Sequence, residues 1–142
     1  DGWITVKIKE LWKFDFAGIR MNYVRFEKCD FGAGSLADAY FDDCVFNNCT
    51  FASVDARRLH FNECLFEGCL FEGIKLRSVE IIDCSLTVDD TDQPTQFKNC
   101  AFKGFTARLT GWHMVEVSPK EELRRLQALV VRGIMAPKIK KN

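Results

Sequence analysis

The sequence predicts an all-β solenoid, a chain wound into stacked coils, and three observations carry that prediction. Every fifth residue from Phe16 to Leu86 is apolar: Phe16, Met21, Phe26, Phe31, Leu36, Phe41, Phe46, Phe51, Ala56, Phe61, Phe66, Phe71, Leu76, Ile81 and Leu86. Two places before each stands an uncharged, mostly small residue, the series running from Phe14, Ile19 and Val24 to Val79 and Cys84. Finally, Cys29, Cys49 and Cys69 are twenty residues apart, and so are Cys44, Cys64 and Cys84. Five is neither a helix period nor a strand period. A sustained longer period marks a repeat architecture, in which each unit buries its apolar side only against its neighbours.

Two side chains of each five point inward, and the other three positions carry nearly all the charge. A unit of this kind makes one short side and turns a corner. Coils then stack at strand spacing, roughly 4.8 Å, through parallel backbone hydrogen bonds. The expected core is Phe26, Phe31, Phe41, Phe46, Phe51, Phe61, Phe66 and Phe71 with Cys29, Cys44, Cys49, Cys64, Cys69 and Cys84.

A central Leu or Phe with a small residue two before it, repeated from Phe14 to about Trp112, resembles the pentapeptide-repeat family. That resemblance implies a right-handed quadrilateral parallel β-helix, with four pentapeptides to a coil of about twenty residues and about five coils here. It also implies a role in binding proteins rather than in catalysis.

In chain order, residues 1–13 contain "WITVKIK", whose alternation of Ile4, Val6 and Ile8 with polar residues predicts a strand covering the first coil. Residues 14–115 form the β-helix. Its register shifts by one after Leu86, the next centres being Phe97, Phe102, Ala107 and Trp112. Six extra residues restore the frame, and "VDDTDQ", followed by Pro94, places a loop at about 88–94. Residues 116–136 predict a helix: Ser118 caps it, Pro119 opens it and Glu121 completes a capping box. Leu123, Leu126, Val130 and Ile134 give it an apolar face. It either caps the last coil or pairs two copies as a homodimer. Residues 137–142 are a basic tail.

Seven cysteines raise metal and disulfide chemistry. Zinc sites use closely spaced pairs that converge, whereas here the nearest pairs, Cys44/Cys49 and Cys64/Cys69, lie on adjacent sides of a coil. Ladder geometry suits disulfides poorly. The cysteines read as core thiols, compact hydrophobes at the small inward positions. No metal and no cofactor is expected, and an odd number of buried thiols favours a reducing, cytoplasmic setting. No run of eighteen apolar residues is present, so no membrane partner is expected. Asn48-Cys49-Thr50 matches a glycosylation sequon. With the Phe/Cys-rich composition it resembles the luminal pentapeptide domains of synaptic vesicle glycoproteins, which implies an extracellular receptor-type role as a minor alternative.

His60 and His113 are the only histidines, and no phosphate loop, nucleophile elbow or metalloprotease motif is present. A convex rod offers paired carboxylates no cleft, so the chain reads as a non-enzyme. His60 falls in one outward column with Arg20, Tyr40 and Glu80, a solvated polar ladder.

The formal net charge is zero, unevenly spread. Residues 30–92 hold thirteen acidic groups against Arg57, Arg58, Lys75 and Arg77, a balance of −9, while residues 1–29 give +2 and residues 93–142 give +7. Such asymmetry speaks to electrostatic partners rather than to fold. The candidate interaction surface is the acidic strip Asp42, Asp43, Glu63 and Asp83, the outward apolar residues Val45, Leu65 and Leu70, and the loop acids Asp89, Asp90 and Asp92. The leading expectation is a rigid module that binds a protein, with no direct nucleic-acid contact. The alternative, implied by the quinolone-resistance branch of the family, is an acidic β-helix that mimics DNA and binds a type II topoisomerase such as gyrase. The −9 segment suits it; the basic C-terminal segment and the modest length do not.

Overall fold

A computed structural model describes residues 3–87, 95–104 and 106–109. Its strands are short: β1 (Ile4–Val6), β2 (Arg20–Asn22), β3 (Val24–Glu27), β4 (Tyr40–Asp42), β5 (Val45–Asn47), β6 (Thr50–Ala52) and β7 (His60–Asn62). There follow β8 (Leu65–Glu67), β9 (Leu70–Glu72), β10 (Lys75–Arg77), β11 (Glu80–Thr87), β12 (Gln96–Lys98), β13 (Ala101–Lys103) and β14 (Thr106–Leu109). One 3-10 turn, Leu11–Lys13, precedes β2, and among the described residues there is no α-helix. All pairings between strands are parallel, and the stack is about four turns high.

The pairing resolves into four sides. Side 1 stacks β1, β3, β5, β8 and the second half of β11. Side 2 stacks β6, β9 and β12, extended by an Asp30–Thr50 bridge. Side 3 holds a Ser35–Asp55 bridge and the β10–β13 pair. Side 4 stacks β2, β4, β7, the first half of β11 and β14. Because β11 runs unbroken around a corner, it joins sides 4 and 1 into one nine-stranded sheet. Leu70 follows Thr50 by twenty residues in its pairing, whereas Gln96 follows Leu70 by twenty-six. The coil therefore gains six residues between Thr87 and Gln96.

The corner explains the period of five. Every fifth residue from Gly18 to Ser78, and again Asn99 and Gly104, has φ between 52° and 72°, the left-handed region. A three-residue strand, this left-handed residue and the small inward residue after it make one pentapeptide. Glycine adopts that φ at no steric cost and holds the corner at Gly18, Gly68, Gly73 and Gly104. Elsewhere Tyr23, Lys28, Arg58 and Glu63 adopt it, held by the backbone bonds between coils. Thus the Arg58 N–H donates to the Arg77 carbonyl at 3.0 Å, and the Glu63 N–H to that of Ile82 at 2.9 Å.

Inside, the phenylalanines form columns. Phe26, Phe46 and Phe66 stack on side 1 at 5.0 Å between ring centres. Phe31, Phe51, Phe71 and Phe97 stack on side 2 at 4.5–4.7 Å, and Phe41 and Phe61 on side 4 at 5.5 Å. Rings of different columns meet edge to face, as Phe46 does with Phe41 and Phe61, which is the favoured arrangement of aromatic quadrupoles. Side 3 is the exception, with Leu36, Ala56 and Leu76 inward. Each expected core residue, the eight phenylalanines and six cysteines, is buried.

Two features of the N-terminal end differ from the sequence reading. Phe14, placed inward by the repeat, is 53% exposed, because the 3-10 turn beside it sends Leu11 into the core instead. In β1 Val6 packs on the core while Ile4 is 64% exposed, and Ile8, past the strand and in register with the corner residue Lys28, is 47% exposed. The expected helix over 116–136, the basic tail 137–142 and the loop at about 88–94 lie outside the described residues.

Candidate functional site

The sides set the outward columns. Val45 and Leu65 pair in register on side 1, half-buried, one directly above the other. Beside them Asn47 pairs with Glu67, and the Asn47 amide donates to Glu67 Oε1 at 2.9 Å. Leu70 is on side 2, between Thr50 and Gln96 in its column. The proposed apolar contacts thus belong to two different sides, and only Val45 and Leu65 form a continuous strip.

Asp43 and Glu63 occupy left-handed corner positions where side 4 turns into side 1. The left-handed residue points its side chain off the rod, so this corner is lined by carboxylates. Asp42, on side 4, accepts a hydrogen bond from the Asn62 amide at 2.8 Å. Ligand atoms of Asp42, Asp43 and Glu63 lie within 4.8 Å of one another, the one such cluster of three among the described residues. Asp83 follows in β11, where only its backbone is described, and Asp89, Asp90 and Asp92 lie outside the described residues.

The Arg20, Tyr40, His60 and Glu80 column is a continuous stack on side 4. The Arg20 guanidinium sits 4.6 Å over the Tyr40 ring, Tyr40 and His60 lie parallel at 4.4 Å, and His60 Nδ1 is 2.8 Å from Glu80 Oε1. Its rings cover each other's faces, so their edges remain for any partner.

The thiols are interior and bridge coils. Cys49 donates to the Phe26 carbonyl at 3.4 Å and Cys69 to that of Phe46 at 3.2 Å. In the second ladder Cys64 donates to the Phe41 carbonyl and Cys84 to that of Phe61. All seven cysteines are free thiols, and only Cys100 is less than fully buried. Burial pushes the Cys49 and Cys64 thiols far above their ordinary range. Hydrogen bonding to the next rung and then burial do the same for Cys29 and Cys44. A thiol held neutral is neither a good nucleophile nor a metal ligand.

Sequence reasoning missed how the cations are arranged. The four basic residues between Asp30 and Asp92 all stand on side 3 or at its far corner: Arg57, Lys75 and Arg77 on the side, Arg58 at the corner. The signal was available, for Arg57 and Arg77 are twenty residues apart. Arg58 is bonded to Asp38, and Arg57 holds Asp55 bidentately at 2.9 and 2.8 Å. These guanidiniums keep the Asp38 and Asp55 carboxyls below the usual carboxylate range. Lys75 and Arg77 have no ion-pair partner among the described residues. With Gly34, Ser53, Ala56 and Gly73 they line a shallow depression of about 620 Å³.

The geometry defines a class, a parallel β-solenoid that presents straight columns of side chains. Residues 34–73 match the family model described as pentapeptide repeats, in eight copies. Over those residues the chain carries pentapeptide repeats, within a stack that is a parallel β-solenoid. Two solved structures resemble it, both of trypsin-treated QnrB1, described as a plasmid-mediated fluoroquinolone resistance protein. One is 20% identical, with a TM-score of 0.59 over 80% of this chain and 54% of that one. The other is 18% identical, with a TM-score of 0.54 over 72% and 53%. The chain therefore spans about half the length of these structures, and at such identity the likeness is one of fold. No curated protein matches the chain.

Proposed function

We propose that the chain is a non-enzymatic, cytoplasmic protein-interaction module whose working surface is side 1 with its acidic corner. The observation that carries this reading is the Val45–Leu65 column, apolar at outward positions and bordered by Asp43, Glu63 and Glu67. An apolar strip inside a charged rim has the anatomy of a contact surface. The rod behind it is a filled aromatic core, so the columns are presented already ordered, and little freedom is lost on binding. Glu63 and the acids of the 89–92 loop supply the charge that steers a basic partner. Val45→Lys/Leu65→Lys is expected to abolish recovery of protein partners in a pull-down while leaving the fold intact. Unchanged recovery removes the column from consideration.

A second reading, binding to a type II topoisomerase as a DNA mimic, is favoured by one specific observation. Between Asp30 and Asp92 the cations keep to side 3 and its corner, which leaves the other sides acidic along the middle coils, and the fold neighbours include a fluoroquinolone resistance protein. A gyrase supercoiling assay with and without a quinolone tests it. Inhibition or protection at micromolar protein supports mimicry, and neither effect ends it.

A further inference from the structure

We propose that the rod docks end-on against an anionic lipid bilayer, through a collar of apolar and basic side chains around its N-terminal coil. The collar lies at one end of the rod, and the docking stands whether or not the Val45–Leu65 strip binds a protein.

The exposed large apolar side chains among the described residues are Ile4, Ile8, Trp12, Phe14 and Tyr23, and all belong to the first coil or the corner that ends it. Three of them stand at successive corners. Tyr23 occupies the left-handed corner between sides 4 and 1, and Trp3 packs edge-on against it at 5.6 Å. Ile8 is in register with Lys28, at the corner between sides 1 and 2. Trp12 shares a hollow with Gly32 and Ala33 where side 2 turns into side 3, and its backbone N–H donates to the Asp30 carbonyl at 2.9 Å. Residues at corners project sideways, so their exposure does not depend on what stacks along the axis.

Each corner also has a cation beside its apolar group. The Arg25 guanidinium sits 5.1 Å over the Trp3 ring, Lys13 Nζ lies 5.7 Å from the Trp12 ring centre, and Lys28 holds the corner at Ile8. Arg25 and Lys28 have no ion-pair partner among the described residues. Aromatic rings flanked by long basic side chains suit a membrane–water interface, where the ring sits at headgroup level and the cation meets lipid phosphate. The lack of a spanning segment bears on crossing a bilayer, not on resting against one.

Charge selects the occupant and the orientation. Residues 3–29 hold six cations against three acids, whereas residues 30–82 hold nine acids against four cations. A rod so polarised is drawn by its end to an anionic surface while its acidic body is held off. Side 1 then stays open to a protein. A second copy meeting this end would bring like charges together. A single-stranded nucleic acid would need its stacking rings along one track; here they stand at different corners, and Ile8 has no ring.

Co-sedimentation of the full chain with vesicles of phosphatidylserine and phosphatidylcholine in equal parts tests this. Binding is expected at low ionic strength, with a marked loss at high salt and on phosphatidylcholine alone. Arg25→Glu/Lys28→Glu should lower the partition coefficient by about tenfold or more, and Trp12→Ser/Tyr23→Ser should weaken binding comparably. Lys75→Glu/Arg77→Glu makes the same change in net charge on side 3 and should bind as the parent does. Circular dichroism separates lost binding from lost fold, and serine already holds such a corner at Ser53 and Ser78. A chain that ignores the vesicles, collar variants that bind like the parent, or a side 3 variant that loses as much as the Arg25/Lys28 one overturns the proposal. Retention on a single-stranded oligonucleotide without vesicle binding also overturns it, and assigns the collar to nucleic acid.

Discussion

Thr95 stands on the rung above Cys69. Its hydroxyl accepts from the Cys69 N–H at 3.1 Å and donates to the Phe66 carbonyl at 3.2 Å. The same bridge is made one ladder over by Cys84, whose sulfur accepts from the Cys64 N–H at 3.3 Å while its thiol donates to the Phe61 carbonyl. Thr95 is thus the polar member of the ladder Cys29, Cys49, Cys69, and it is fully buried. Replacing Thr95 by Val keeps the shape and strands an amide and a carbonyl inside the rod, at a cost of about 1–3 kcal/mol. Thr95→Cys, which restores a donor and an acceptor, should cost less. Urea denaturation of the two variants checks the order, and equal stability would show that the bridge contributes nothing.

Phe46 is the aromatic hub. Its ring centre lies 5.0–6.1 Å from those of Phe26, Phe31, Phe41, Phe51, Phe61 and Phe66. Phe46→Ala is expected to cost about 3–5 kcal/mol, because stacked coils cannot collapse around the hole. Phe14→Ala, at an exposed ring, should change stability by less than about 0.5 kcal/mol. A thermal melt of each variant makes the comparison, and similar losses would mean that Phe14 packs as the repeat pattern placed it.

That contrast also marks where the sequence was legible. The inward set could be read because a five-residue period fixes which two positions face the core, and the twenty-residue cysteine spacing gave the ladders. Phe14 could not be placed, since the turn at Leu11–Lys13 breaks the first coil in a way no periodicity reports. Thr95 was hidden because its rung follows Cys69 by twenty-six residues instead of twenty. The surface was half legible: Val45 over Leu65 followed from the spacing, while the gathering of Arg57, Lys75 and Arg77 on one side needed the assignment of sides. The left-handed corners at Tyr23 and Lys28 had no local signal either, because stacking of coils, not residue preference, imposes them.

Those corners store strain that can be relieved. Ala33 has φ 59° at its corner, and Gly73 has φ 65° at the equivalent one two coils on. A Cβ at Gly73 would meet nothing closer than Ser53 Oγ at 3.9 Å, so the cost of adding it is backbone strain alone. Gly73→Ala is expected to destabilise by about 1 kcal/mol, and Ala33→Gly to stabilise by up to a similar amount. Opposite shifts in the denaturation midpoint are the expected result. Destabilisation by both would mean that the loss of freedom in the unfolded chain outweighs the relief.

The thiol ladders make stability depend on alkaline pH. Cys29, Cys44, Cys49 and Cys64 have folded pKa values raised well above that of a free thiol, by burial and by hydrogen bonding along the ladders. In the unfolded chain they ionise near pH 8.5 or so. Below that pH both states hold the thiol protons, and the groups contribute no pH dependence. Above it the unfolded chain releases protons that the folded rod keeps, so stability falls by about 1.4 kcal/mol per pH unit for each thiol. Several such thiols act in the same direction, so the loss steepens as the pH rises. Urea midpoints should be flat from about pH 6 to 8 and drop steeply beyond about pH 9. Cys49→Val isolates the cause, because valine already occupies the equivalent inward position at Val24, Val54 and Val79. Its alkaline slope should be shallower by one thiol's share; a slope equal to the parent's would place the ionisation elsewhere than in the ladder.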